Sequence, residues 1–162
     1  MSNLYRFFIF LMAVLLASCA VIDQKQPDEP QQIIETSTHS AWRLSDSERR
    51  SVSSNRAVAQ LLTQADNLIA VENFAQATDK LERLVRIEPQ FAQAWSRLAW
   101  MALKNGDAER SRQLAQRSNS YSRDNNQLTL LNWHFIKNAG ELLHNNDIIQ
   151  QAEKMITNLG GR

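Results

Sequence analysis

Between residues 54 and 162, apolar positions recur every three or four residues, the spacing of one face of an amphipathic helix. The first such run follows Ser54, which is available as an N-cap. A second run ends at Pro89, because proline cannot continue a helix. A third run ends at Gly106, and Asp107 is placed to cap a fourth.

Two further helices are predicted after the fourth. The fifth covers residues 126–144, and a short sixth is capped by Asp147 together with Gln150. No segment alternates between apolar and polar residues with a period of two, as a half-buried strand would. We therefore predict an all-α domain of about six helices over residues 54–162.

Residues 19–53 differ from this domain in composition. Gln, Ser, Thr, Asp and Glu dominate, and Pro27 and Pro30 interrupt the segment. Such a segment buries too little apolar surface to offset the entropy lost on ordering, so we predict a disordered, flexible tether. Trp42 is an exception, and it either docks on the helical domain or contacts a partner.

Residues 1–18 are typical of an export signal, with Arg6 ahead of an apolar stretch at residues 7–16. That stretch is well short of the roughly 20 residues that a membrane-spanning helix needs. It leads into the sequence LASC, which resembles the lipobox of bacterial lipoproteins. The resemblance implies a cleaved signal peptide and acylation of Cys19, with palmitate among the lipids. Because Ala20 rather than Asp follows, it also implies an outer-membrane anchor that faces the periplasm.

The helical domain fits a repeat of 34 residues that Pro89 closes. The first unit places small or core residues at Ala65, Phe74, Ala77, Leu81 and Leu84. The second unit lacks the closing proline but supplies Trp95, Leu98, Ala99 and Gly106, with Ser111 and Ser118 at small-residue sites. This pattern resembles the tetratricopeptide repeat, in which small residues let paired helices approach closely. The alternative is a generic helical bundle.

A third unit is degenerate. Trp133 and Ile136 match Trp95 and Leu98 only if about four residues are inserted before them. We therefore expect tetratricopeptide-like helical hairpins, two clear and one degenerate, after the disordered tether. Because so few units bury a limited core, we expect a monomer or a weak dimer.

The sequences IEP (87–89), AWSRLA (94–99) and QLAQRSNS (113–120) are similar to small repeat lipoproteins of gammaproteobacteria. Some of these activate class A penicillin-binding proteins, the bifunctional peptidoglycan synthases. The resemblance implies a periplasmic adaptor that binds a protein partner and activates or scaffolds such a synthase. The alternatives are a pilotin-like assembly factor, an adaptor for envelope hydrolases or proteases, a cell-wall enzyme, and a purely structural lipoprotein.

In proteins with this repeat, the first helix of each hairpin lines a concave groove that binds partner segments. By position, the resemblance nominates Asp66, Ile69, Gln93, Ser96, Trp100, Lys104, His134 and Asn138. Trp100 lies off the apolar stripe of its helix, so it is either an interface anchor or a residue packed against the fifth helix. A secondary candidate is an arginine strip on the fourth helix, which is either a docking surface or an ordinary solvated face: Arg110, Arg112, Arg117 and Arg123.

Charge and motif content limit the other functions. The chain has 18 basic and 17 acidic residues, and loss of Arg6 with the signal balances them, so bulk nucleic-acid binding is not indicated. The three histidines lack metal-ligand spacing, and GxSxG, SxxK and phosphate-binding glycine loops are absent from the sequence. We predict a protein that is not an enzyme and has no cofactor, metal site or catalytic residues.

Overall fold

A computed structural model describes residues 41–44, 49, 50, 52, 54–122 and 125–160, which belong to one compact unit. Six helices follow one another here, and the described residues include no strand: α1 (Arg56–Ala70), α2 (Phe74–Ile87), α3 (Ala92–Lys104), α4 (Ala108–Tyr121), α5 (Asn126–Leu142) and α6 (Asn146–Gly160). The all-α prediction is confirmed. Cys19, the signal segment and much of the predicted tether lie outside the described residues.

Asparagine and aspartate side chains start most of these helices. The predicted caps are confirmed at Asn73, whose side chain accepts a hydrogen bond from the Gln76 amide, and at Asp107, which accepts one from the Arg110 amide. These bonds satisfy amide groups that have no partner within the first turn of a helix. None of the helices in the described ranges has the length and apolar character to cross a membrane.

Two predicted caps are wrong by one or two residues. Asn55, not Ser54, caps α1, because its side chain accepts from the Val58 amide. At α6 the cap is Asn145, whose Oδ1 accepts from the amides of Asp147 and Ile148 at 3.1 and 3.2 Å. Asp147 therefore lies in the first turn, and α6 has 15 residues rather than being short.

The helices pair as three hairpins, α1–α2, α3–α4 and α5–α6, and each helix packs against the next along the chain. The contact between α3 and α5 joins the first helices of successive hairpins. Residues at the predicted small sites are fully buried, as close approach of paired helices requires: Ala65, Ala77, Ala99, Ser111 and Ser118. The hairpin stack is tetratricopeptide-like, and α1, α3 and α5 are its first, or A, helices.

The turns within the hairpins set the register of the third unit. Glu72, Gly106 and His144 all have a positive φ, and each lies in the turn after an A helix. Gly106 follows Glu72 by 34 positions, and His144 follows Gly106 by 38. Helix α5 has 17 residues where α3 has 13, so the four extra residues add about one helical turn and preserve the inward face.

Buried side chains form two cores. The first core lies among α1, α2 and α3 and also includes Val52, while the second lies mainly among α3, α4, α5 and α6. Three partly buried residues pack against both cores: Trp100, Leu114 and Tyr121. Residues 41–44, which we name the docked segment, contribute Ala41 and Trp42 to the second core, and Leu44 packs against the first.

Candidate protein-binding groove

The docked segment lies on the side of α3 that was predicted to line the groove. Trp42 is only 7% exposed, and its indole N–H donates a hydrogen bond to Ser96 Oγ at 3.1 Å. Its ring meets that of Trp100 edge to face, with centroids 5.8 Å apart. Of the two roles considered for Trp42, the structure therefore shows docking on the helical domain.

The docked segment is also bound through its backbone. Gln93 Nε2 donates a hydrogen bond to the Arg43 carbonyl oxygen at 3.4 Å. Gln93 is fully buried, and Leu44 packs against the first core two residues beyond Trp42. One aromatic side chain, one backbone carbonyl and one aliphatic side chain thus hold the segment on α3.

Arg97 carries the charge at the centre of this site, although sequence analysis did not single it out. Its side chain is almost completely buried, and its Nε and Nη2 donate to Asp66 Oδ1 and Oδ2 at 2.7 and 3.2 Å. Its Nη1 donates to the main-chain oxygen of Gln93 and to Gln93 Oε1. The guanidinium also lies 4.8 Å from the centroid of the Trp42 ring. A buried cation needs such partners, because moving a charged group out of water without a partner costs several kcal/mol.

One sequence signal could have identified Arg97. It interrupts the run AWSRLA, in which the surrounding residues are small or apolar and buried. A charged residue inside such a run indicates a specific partner, because ionised side chains are rarely buried alone.

Most contacts of Trp100 are with other residues of the same chain. Its ring meets Phe74 edge to face at a centroid distance of 5.3 Å, in addition to Trp42. Lys104 Nζ lies over the same ring, 5.4 Å from its centroid. Trp100 thus packs against α2 and the docked segment as well as the second core, and its exposed part adjoins Lys104.

The structure joins five of the eight predicted groove residues in one set of contacts around α3: Asp66, Gln93, Ser96, Trp100 and Lys104. Ile69 instead packs against the first core. His134 and Asn138 lie on the next A helix, α5, and both are half-buried. Burial lowers the pKa of His134 below its usual value, and the charge of Lys137 acts in the same direction.

The arginine strip is engaged with its own chain at the three positions described. Arg110 pairs with Glu82 on α2 at 2.8 Å, and Arg112 pairs with Glu109. The hydrogen bond from Arg112 lowers the pKa of Glu109 to about 2. Arg117 lies over the Trp95 ring, 4.2 Å from its centroid, and Arg123 lies outside the described residues. Each described arginine of the strip thus already has a partner within the chain.

The chemistry available in this site is that of recognition. It offers an aromatic ring, a guanidinium group, a hydroxyl acceptor and an amide donor around the docked segment. Within the described ranges, no three His, Cys, Asp or Glu side chains are grouped so that they could hold a metal ion. The fold and this site together define a helical-hairpin repeat domain that holds a peptide segment along an A helix.

A comparison with solved structures finds the globular C-terminal domain of P. aeruginosa LpoP. The TM-score is 0.53 and the sequence identity is 31%, and the match covers 59% of this chain and 94% of that domain. At this identity and coverage, the chain belongs to the family of that domain. No protein-family model matches the chain, and no curated protein matches it.

Proposed function

We propose that this protein is an outer-membrane lipoprotein that acts in the periplasm as an adaptor and is not an enzyme. In the sharper form of the proposal, it binds and activates a class A penicillin-binding protein. The observation that carries the proposal is the likeness of its helical domain to nearly the whole LpoP domain. That likeness agrees with the resemblance of the sequence to small repeat lipoproteins, some of which activate such synthases.

Binding can activate an enzyme only if the adaptor prefers the active state over the inactive one. The proposed contact surface is the outer edge of the groove, where side chains of all three A helices are accessible. It comprises the exposed Lys104 beside Trp100, the half-buried His134 and Asn138 on α5, and Asp66, whose side chain is 45% exposed.

The anchor and tether are part of the same proposal. Acylation of Cys19 would hold the chain on the outer membrane, because each buried CH₂ contributes about 0.8 kcal/mol. The tether would let the helical domain reach a synthase across the cell wall. Cys19 and most of the predicted tether lie outside the described residues, so these features rest on the sequence.

The direct test measures glycan polymerisation by a purified class A penicillin-binding protein with increasing amounts of this chain. The chain is used in its mature form with Cys19→Ser, so that it stays in solution. We expect a saturable, severalfold rise in rate. An unchanged rate, at concentrations where the two proteins are shown to bind, would rule out activation.

A paired variant tests the contact surface. Lys104→Glu with Asn138→Ala should raise the concentration needed for half of the full effect by about tenfold, because both residues lie at the accessible groove edge. Arg110→Ala is the matched control, since Arg110 lies on α4 rather than on an A helix and pairs with Glu82 on α2. Equal responses from both variants would place the contact elsewhere. Trp100 is avoided because it packs against both cores.

A further inference from the structure

The docked segment makes the contacts of a bound peptide. It precedes α1 and lies outside the six helices, yet it contacts α3 some 50 positions further along the chain. Its hold on α3 depends on a few side-chain and backbone groups rather than on helix packing. Peptide segments bound in the grooves of recognition domains are held by the same kinds of contact.

The site around Trp42 selects for an aromatic residue with a hydrogen-bond donor. The ring lies perpendicular to that of Trp100, and the guanidinium of Arg97 lies over it. Ser96 is fully buried, and its hydroxyl accepts the indole N–H. A phenylalanine would leave that hydroxyl without the donor, so tryptophan fits best.

Residues 43 and 44 are contacted in different ways. Gln93 binds the carbonyl of residue 43 and therefore makes no demand on that side chain, which is exposed. At residue 44, an aliphatic side chain packs against the first core. The specificity is thus for Trp-x-Leu, with the side chain of the middle residue left exposed.

We propose that this face of α3 is a recognition site for a Trp-x-aliphatic segment. The chain's own residues 41–44 occupy it in the free protein, and a segment of the same chemistry on the partner synthase displaces them. The identity of the partner rests on the proposed function above, but the recognition site itself does not. Partner binding is therefore weakened by an internal competitor.

The competition has a calculable size. A segment joined to its site by a short linker has an effective concentration in the millimolar range, far above that of a free partner. If the groove is open a tenth of the time, the apparent affinity of a competing partner falls tenfold. Removing the internal segment should therefore strengthen partner binding, whereas removing a merely structural segment should not.

The first experiment tests the site alone. The probe is a labelled synthetic peptide with the sequence of residues 39–46, HSAWRLSD, added to the mature chain that carries Cys19→Ser. We expect it to bind the Trp42→Ala chain and to bind the chain with native Trp42 at least about tenfold more weakly. The same peptide with alanine in place of tryptophan should bind neither.

Circular dichroism checks that the Trp42→Ala chain keeps its helices. If it does not, Leu44→Ala serves instead, because Leu44 is only partly buried and lies outside the helices. A folded variant that does not bind the peptide overturns the recognition site. Equal binding to the chain with native Trp42 overturns its occupation by residues 41–44.

The second experiment tests the partner. Trp42→Ala should lower, by about tenfold, the concentration that gives half of the full stimulation of the synthase. An unchanged or raised concentration, while the peptide still binds, overturns displacement by the synthase and leaves a site for another protein. If the chain with native Trp42 does not stimulate the synthase at all, the proposed function fails, but the peptide experiment still decides the recognition site.

Discussion

At the residue scale, one buried positive charge, that of Arg97, connects the first A helix to the docked segment. Arg97 is 3% exposed, and it links the first A helix, through Asp66, to the docked segment, through the Trp42 ring. A hydrophobic side chain of similar volume at this position would leave Asp66 without a cation. Arginine suits the position because its planar fork binds a carboxylate through two bonds while its face stacks on an indole.

Arg97→Ala should lower the free energy of unfolding by about 2 kcal/mol, because it removes charged hydrogen bonds from a buried side chain to Asp66 and Gln93. The loss is measured by chemical denaturation, with the midpoint and slope fitted together. Arg110→Ala is the matched control, because Arg110 also forms an ion pair but is half exposed. Its loss should be at most about 1 kcal/mol. Similar losses for the two variants would show that burial of Arg97 is not what matters.

His134 gives the stability a dependence on pH. Burial, followed by the charge of Lys137, lowers its pKa below the usual value of 6.5. The unfolded chain therefore binds this proton more readily than the folded chain does. The contribution to stability is fully present above the unfolded pKa and declines as pH falls from about 6.5 towards the lowered folded pKa.

We predict that the chain with native His134 loses more stability between pH 7.5 and 5.5 than His134→Gln does. Thermal unfolding at both pH values measures the difference, and an NMR titration of the imidazole gives its pKa directly. Lys137→Gln should raise that pKa only in part, because desolvation is the larger cause. A His134 pKa at or above 6.5 would contradict the argument.

At the scale of helices and hairpins, Gly140 allows α5 and α6 to approach closely. A Cβ at this position would lie 2.9 Å from Ile148 Cγ2 and 3.2 Å from Ile148 Cβ, so a branched side chain of α6 would have to move. The third hairpin therefore depends on one glycine for its packing.

Gly140→Ala should lower the free energy of unfolding by about 1 to 2 kcal/mol. Overpacking typically costs about 1 to 3 kcal/mol, and it outweighs the gain of up to about 1 kcal/mol in helix propensity. Gly160→Ala is the control, because a Cβ at Gly160 would meet no neighbouring group within 4 Å, and it should not destabilise the chain. Adding Ile148→Ala should cost less in the Gly140→Ala chain than in the chain with Gly140. A Gly140→Ala chain of unchanged stability would contradict this packing.

The helices could be read from the sequence because their signals are local. Asn73 and Asp107 each begin a helix three residues before an amide that their side chains bind, and both signals lie within one turn. At α6, however, Asn145 and Asp147 are both good capping residues, and local sequence does not rank them. Which of them caps is settled by the left-handed conformation of His144, which starts the turn earlier.

The third unit shows the same limit. Four inserted residues add a turn to α5, and the repeat pattern alone could not say where they lie. The turns at Gly106 and His144 place them within the A helix. Repeats are recognised by spacing, so an insertion of about one turn changes the spacing while leaving the buried face intact.

At the scale of the whole molecule, the sequence predicted the side chains of α3 that line the groove but not the segment that lies against them. Ser96, Gln93 and Trp100 were placed in a groove by their positions in the repeat. The partner that buries them, Trp42, is 54 positions from Ser96, and no local pattern specifies that pairing. Arg97 was missed for a related reason, since its role depends on Asp66, 31 positions away.

Under the proposed function, docking of Trp42 also limits how far the domain can lie from a lipid on Cys19. Residues 20–40 can span at most roughly 70 Å, whereas residues 20–55 could span roughly 120 Å. The length of the tether, rather than its sequence, should then decide whether the domain can reach its partner.

We expect deletion of residues 24–35 to abolish rescue in cells that lack the protein, measured as the rate of peptidoglycan synthesis. A Gly/Ser segment of equal length is the control and should restore the rate, and neither change should alter stimulation of the purified synthase. Rescue by the shortened chain would show that the tether does not limit access to the partner.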